Sequence, residues 1–171
     1  MNKHHLILGG AKSGKTAFAE RLALSGNDKP LYIATGRAWD DEMRKRIDAH
    51  QKIRADKFVT IEEPLALVDA LETSANVSQN VLVDCLTLWI TNLMMEERSI
   101  ENEVDKLSQW LSSNTQQRVI LVSNEVGQGI VPENKMARSF VDHAGISHQK
   151  LAAVCHRVSF ITAGLEQRLK G

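Results

Sequence analysis

The octapeptide GGAKSGKT, Gly9 to Thr16, directly follows the apolar run HLIL (5–8) and opens a stretch with helical character. Strand, glycine-rich loop and helix in that order are the context in which the pattern G-x-x-x-x-G-K-[ST] wraps phosphate groups. Gly9 and Gly14 let the backbone come close to phosphate oxygens. The loop N–H groups and the helix N-terminus supply partial positive charge, Lys15 adds a full one, and the Thr16 hydroxyl can ligate Mg²⁺. A chain built around this element needs a strand to carry the loop and a helix to receive it, which points to a sheet with helices packed on it.

The remaining patterning agrees. Short branched apolar runs, LYIA (31–34), VLVDC (81–85), RVILVS (118–123) and VSFITAG (158–164), alternate with helical candidates near 15–25, 39–54, 64–74, 86–97, 100–113 and 134–156. FVTIEE (58–63) alternates and is a further strand candidate. Gly26, Pro30, Pro64 and Gly164 punctuate these segments. Such alternation predicts an α/β fold with a mainly parallel sheet covered by helices on both faces. At 171 residues, with no repeat or linker, residues 1–171 are expected to form a single nucleotide-binding catalytic domain.

Composition excludes several classes. Lys plus Arg equals Asp plus Glu at 21 each, so no long-range field suits nucleic acid or an anionic membrane surface. Cys85 and Cys155 have neither Cys-x-x-Cys spacing nor a Cys/His cluster, and read as buried free thiols of a reducing compartment. No run of about 18 apolar residues occurs, and the N-terminal apolar run is too short for a signal peptide. A soluble, cytoplasmic protein is expected.

Asp84 ends the run VLV, so its carboxylate should emerge at the carboxyl edge of the sheet, where open α/β sheets bind ligands. There it would organise Mg²⁺ together with Thr16; the competing role is an N-cap for the next helix. Asn124 and Glu125 follow another strand. Glu125 can position water or an acceptor, the alternative being a polar turn ordered by Asn124 with Gly127 and Gly129 at positive φ. Trp89 and Leu93 fall at helical spacing, as expected of core. Met43, Ile47, His50 and Arg54 share one face of the candidate helix 39–54. His50 is either a core histidine or, if that face covers the triphosphate, a nucleophile toward the α-phosphate, with the pyrophosphate leaving group neutralised by the loop and Lys15.

Four segments in the same order, GGAKSGKT, YIATGRAWDDEMRKRIDAHQKIR, VLVDCLTLWITNL and VSNEVGQGIVPENKMARSFVDHAG, closely resemble the bifunctional adenosylcobinamide kinase/adenosylcobinamide-phosphate guanylyltransferases of cobalamin biosynthesis, essentially from end to end. The resemblance implies a RecA-like P-loop NTPase fold, a homotrimer, and two reactions. Adenosylcobinamide is phosphorylated by ATP or GTP; GMP is then transferred from GTP to adenosylcobinamide phosphate, giving adenosylcobinamide-GDP and pyrophosphate. It also implies that His50, matching the family's E-M-x-x-R-I-x-x-H-x-x-x-R pattern, carries GMP. The nucleotide-binding positions carried over are Gly9, Gly10, Ala11, Lys12, Ser13, Gly14, Lys15, Thr16, Thr35, Gly36, Arg37, Gln51, Lys52, Ile53, Arg54, Glu62 and Asp84, with Lys15 and His50 catalytic and Thr16 and Asp84 on the metal. Ala55, Phe58, His148 and Glu166 depart from the family's usual proline, tryptophan, asparagine and proline. A one-step P-loop kinase with a structural His50 and a non-catalytic nucleotide switch are the competing readings.

Overall fold

A computed structural model of the chain describes residues 4–37, 44–45, 49, 52, 54–114 and 116–171. The expected helix 39–54, with His50, Gln51 and Ile53, therefore lies largely outside the described residues. The described strands are β1 (His5–Gly9), β2 (Leu31–Ala34), β3 (Val59–Glu62), β4 (Asn80–Asp84), β5 (Arg118–Asn124), β6 (Arg157–Thr162) and β7 (Leu165–Lys170). The described helices are α1 (Lys15–Ala23), α2 (Leu67–Ser74), α3 (Leu86–Met95), α4 (Ile100–Ser113) and α5 (Lys135–Val154). The strands form one sheet in the order β3-β2-β4-β5-β1-β6-β7, parallel throughout except for the antiparallel β6–β7 pair.

Successive side chains of a strand point to opposite faces, and the central strands are apolar on both. Leu6, Leu8, Leu31, Ile33, Val81, Val83, Val119 and Leu121 face one way, into a core shared with Leu67 and Leu71 of α2, Trp89 and Leu93 of α3, Leu107 of α4 and Leu151 of α5. Ile7, Tyr32, Leu82, Ile120 and Val122 face the other, where Ala19 and Ala23 of α1 pack. Trp89 is fully buried, and its indole N–H donates to the Leu65 carbonyl at 2.9 Å, the partner a buried indole requires. Cys85 and Cys155 are free and buried, and burial raises both thiols, to about 11 and about 12.

β7 is the strand that the sequence pattern does not announce. Its segment LEQRLK is exposed throughout, so it lacks the apolar alternation that marks a half-buried strand. The turn that makes it possible holds Ala163 and Gly164 at φ 52° and 78°. Its tip touches the glycine-rich loop: the Gly164 N–H donates to the Ser13 carbonyl at 2.8 Å, and a Cβ on Gly14 would stand 3.1 Å from the Gly164 Cα.

Two adjacent histidines, His4 just before β1 and His5 as its first residue, are buried. His4 Nδ1 accepts from the Val119 N–H at 3.2 Å, so its proton is on Nε2, which contacts the Leu111 and Asn114 carbonyls at 3.0 Å each. His5 Nε2 lies 2.8 Å from Ser159 Oγ. Burial pushes both imidazoles down, His5 to about 4. Below pH 6.5 the unfolded chain binds a proton that folded His5 refuses until about pH 4, so stability falls as pH falls across that window. For His5 alone the full shift corresponds to about 3 kcal/mol. Thermal unfolding should show a midpoint that drops steadily from pH 7 to pH 4; a flat midpoint would contradict neutral burial of these rings.

Candidate functional site

The carboxyl ends of the parallel strands lie along one edge of the sheet, and the register sets what meets there. Ala34 of β2 pairs with both Glu62 and Asp84, while Gly9 pairs with Asn124 on one side and Ile161 on the other. Loops leave this edge from β1, β4 and β5, so residues distant in sequence converge beside the glycine-rich loop.

The loop itself is tightly specified. A Cβ at Gly9 would lie 2.6 Å from both the Ile161 carbonyl oxygen and Ser13 Oγ, so the position excludes any larger residue. Gly14 caps α1 at φ 96°, in the left-handed region that glycine tolerates. Lys15 is buried, and its ammonium crosses back over the loop to donate to the Gly10 carbonyl at 2.8 Å. Burial lowers its pKa, with Cys85 and Asp84 acting in opposition. Ser13 Oγ is buried with no hydrogen-bond partner among the described residues. A buried hydroxyl without a partner in this loop fits a site whose natural content is a phosphate.

Asp84 is the centre of the site. Its Oδ2 accepts from Thr16 Oγ1 at 3.1 Å and from the Tyr32 hydroxyl at 2.8 Å. It does not cap the following helix: Cys85 is the N-cap of α3, without a side-chain cap bond. Burial raises the Tyr32 phenol, which keeps it a donor to the Asp84 carboxylate. The Arg54 guanidinium stands 4.0 Å from the centre of the Tyr32 ring and donates to Glu20 Oε1 at 2.9 Å. A line of contacts thus runs from Glu20 on α1 through Arg54 and Tyr32 to Asp84 and Thr16. Neither Tyr32 nor Glu20 stands out in the sequence, because a tyrosine inside LYIA reads as core.

Thr35 is buried and clamps two elements. Its Oγ1 donates to the Cys85 carbonyl at 2.7 Å and accepts the Cys85 N–H at 2.9 Å. Its own carbonyl receives Asn92 Nδ2 at 2.7 Å, and Asn92 also reaches the Pro64 carbonyl at 3.1 Å. Gly36 lies against Leu88 of α3, and Arg37 pairs with Glu96 just past the end of that helix. Glu62 is exposed at the end of outer strand β3, and its neighbour Glu63 accepts the Leu65 and Ala66 N–H groups at the start of α2. Lys52 is exposed; His50, Gln51 and Ile53 lie outside the described residues. The structure therefore brings the loop, Asp84 and, through Tyr32, Arg54 together at this sheet edge; Thr35 lies buried beneath it as a structural clamp, Arg37 is paired with Glu96, and Glu62 ends outer strand β3.

Asn124 and Glu125 also differ from the expected turn. The Asn124 N–H is bound by Thr87 Oγ1 at 2.8 Å, and it is Glu125 Oε1 that orders the turn, accepting the Gly127 N–H at 2.7 Å. Neither Gly127 nor Gly129 is at positive φ, so a side-chain acceptor makes the turn where left-handed glycines were expected.

Among the described residues no group of three or more His, Cys, Asp or Glu side chains could hold a metal by itself. The Thr16 hydroxyl and Asp84 carboxylate are hard oxygen donors side by side. That fits Mg²⁺, which takes one or two protein oxygens and completes its shell with water and substrate phosphates. No described helix is long and apolar enough to cross a membrane.

The profile of the family CobU: Cobinamide kinase / cobinamide phosphate guanyltransferase matches residues 5–169. The chain is 46% identical over 168 residues to the bifunctional adenosylcobalamin biosynthesis protein CobP of Pseudomonas aeruginosa, covering 97% of this chain and 96% of that one. It is 35% identical over 179 residues to the bifunctional adenosylcobalamin biosynthesis protein CobU of Escherichia coli, covering 96% and 98%. Among solved structures it resembles an ATPase domain, with a TM-score of 0.54 at 13% identity over 93% of this chain and 69% of the other. The flagellar accessory protein FlaH from Methanocaldococcus jannaschii gives 0.51 at 14% identity over 99% and 78%. Those two likenesses establish the P-loop NTPase fold.

Proposed function

The chain belongs to the cobinamide kinase / cobinamide phosphate guanyltransferase family, and from that premise we propose that it phosphorylates adenosylcobinamide with ATP or GTP and then transfers GMP from GTP to the product. The observation that carries this reading is the pairing of Thr16 with Asp84 directly beside a loop shaped for phosphates. Residues 1–171 act as one catalytic domain.

In the first reaction the acceptor hydroxyl attacks the γ-phosphorus of the nucleotide and the diphosphate leaves with the bridging oxygen. The loop N–H groups and Lys15 bind the β- and γ-phosphates and neutralise the charge that moves onto the leaving group. In the second, a His50 ring nitrogen attacks the α-phosphorus of GTP, and pyrophosphate leaves from the same cradle. The phosphate of adenosylcobinamide phosphate then displaces the imidazole, forming the diphosphate bond. Thr16 and Asp84 would hold Mg²⁺, which would supply charge neutralisation at the phosphates. Gly36 and Arg37 border the nucleotide beside Asp84, positioned by the buried Thr35 clamp, and Gln51, Lys52, Ile53, Arg54 and Glu62 complete its site. A homotrimer in the cytoplasm belongs to the same reading.

The test is a stepwise assay. With cobinamide and ATP the protein should form cobinamide phosphate and ADP; adding GTP should give cobinamide-GDP and pyrophosphate. A protein that stops at the phosphate is a one-step kinase, and one that hydrolyses nucleotide without transfer is a switch. Asp84→Asn should lower both activities about 10- to 100-fold, with part of the loss recovered at raised Mg²⁺. Titrating Mg²⁺ against rate checks this, and an unchanged Mg²⁺ dependence would remove the aspartate from the metal.

A further inference from the structure

We infer that Glu125 takes the acceptor's proton in the kinase reaction, and that the apolar groove beginning at its neighbour Val126 seats the acceptor. The inference rests on the function proposed above.

β5, which ends at Asn124, lies between β4, which carries Asp84, and β1, which carries the phosphate loop. Glu125 is the first residue beyond that strand. Its N–H donates to the Gly9 carbonyl at 2.9 Å, which pins it to the first residue of the loop. Its side chain is half-buried, with one carboxylate oxygen held by the Gly127 N–H and the other without a partner among the described residues. The strand end beneath it is braced: Thr87 holds the Asn124 N–H, and buried His148 holds Ser123 Oγ at 2.8 Å. Of the other carboxylates at this edge, Asp84 is engaged by Thr16 and Tyr32, and Glu62 stands on the outermost strand. Among the described residues, Glu125 is the acid beside the loop that is both oriented by a hydrogen bond and left with a free carboxylate oxygen.

The groove continues from it. Thr87, Thr91, Met94, Val126, Met136 and Phe140 line a mostly apolar space of about 510 Å³ between α3, α5 and the segment after β5. It joins the phosphate edge directly, since Thr87 contacts Asn124 and Val126 follows Glu125. An acceptor with a broad apolar body and one reactive hydroxyl fits this arrangement, its body in the groove and its hydroxyl between Glu125 and the γ-phosphate. As the acceptor oxygen bonds to phosphorus and the bond to the bridging oxygen breaks, the hydroxyl proton passes to the Glu125 carboxylate and the bond electrons leave with ADP. Glu125 then releases the proton to solvent.

Glu125→Gln tests the role, because the amide oxygen still accepts the Gly127 N–H while the basic oxygen is gone. With cobinamide and ATP, kcat should fall about 100-fold with little change in the KM for ATP. Guanylyl transfer from GTP to supplied cobinamide phosphate, which needs no proton acceptor at this position, should persist. An unchanged kinase kcat overturns the role, as does an equal loss of both reactions, which would make Glu125 part of the shared nucleotide site. Met136→Glu places a charge in the groove at a half-exposed position and should raise the KM for cobinamide about tenfold, leaving that for ATP unchanged; an unchanged cobinamide KM overturns the seat. Wild-type protein that forms no cobinamide phosphate at all refutes the underlying kinase reading, whereas an active wild type with an unaffected Glu125→Gln variant refutes only the inference.

Discussion

Lys15→Ala should lower both cobinamide phosphorylation and guanylyl transfer, each by about 10²- to 10³-fold. The reason is geometric. One ammonium is held across the loop by the Gly10 carbonyl, in a buried position where water cannot screen it. Burial lowers its pKa, and a bound triphosphate would favour the charged form and take the place of the carbonyl as its partner. On the proposed function that charge would lie against the diphosphate leaving group in phosphoryl transfer and against pyrophosphate in guanylyl transfer, so the same atom would serve both reactions. The measurement is a pair of assays on one preparation, with the unfolding midpoint as a control for folding. Full kinase activity at saturating ATP would refute a shared cradle. Loss of only one reaction would mean that the two use separate phosphate sites.

How much of this is legible in the sequence depends on the kind of signal each residue carries. The phosphate loop is a local device whose glycines, lysine and threonine must be contiguous, so its sequence states its chemistry. LYIA bounds β2 to the residue, and 100–113 bounds α4, since strand and helix periods are local too. Asp84 can be placed because an acid ending an apolar run has one geometric meaning in a parallel sheet. Tyr32 cannot, since its phenol bonds a carboxylate 52 positions away and its ring supports Arg54 from another segment. Asn92, buried in the apolar-looking helix LTLWITNLMM, ties Thr35 to Pro64 only once three segments have met. The polar edge strand β7 leaves no trace because it buries no face. What escapes the sequence is the tertiary wiring that positions a recognisable motif.

His50→Ala should abolish a covalent protein–GMP adduct and guanylyl transfer while sparing most kinase activity. The spacing of the sequence predicts that His50 shares a helical face with Arg54, four residues on. Arg54 is placed: its guanidinium lies on the Tyr32 ring, whose hydroxyl bonds Asp84 beside Thr16. On that expectation, a histidine sharing the Arg54 face would be directed to the triphosphate side. With the β- and γ-phosphates in the loop, the α-phosphate is the part of GTP left facing such a residue. A neutral imidazole so placed would attack it, and the phosphoramidate so formed would divide one difficult transfer into two. The kinase reaction has no such need, because a hydroxyl attacking the γ-phosphate requires positioning and charge neutralisation and no enzyme nucleophile. Protein incubated with GTP labelled at the α-phosphate should therefore retain label through a bond that is stable to alkali and labile to acid, and peptide mapping should place it on His50. Persistent labelling of folded His50→Ala protein, or a labelled peptide containing His143 or His148, would return His50 to a structural role and leave the second reaction without its nucleophile.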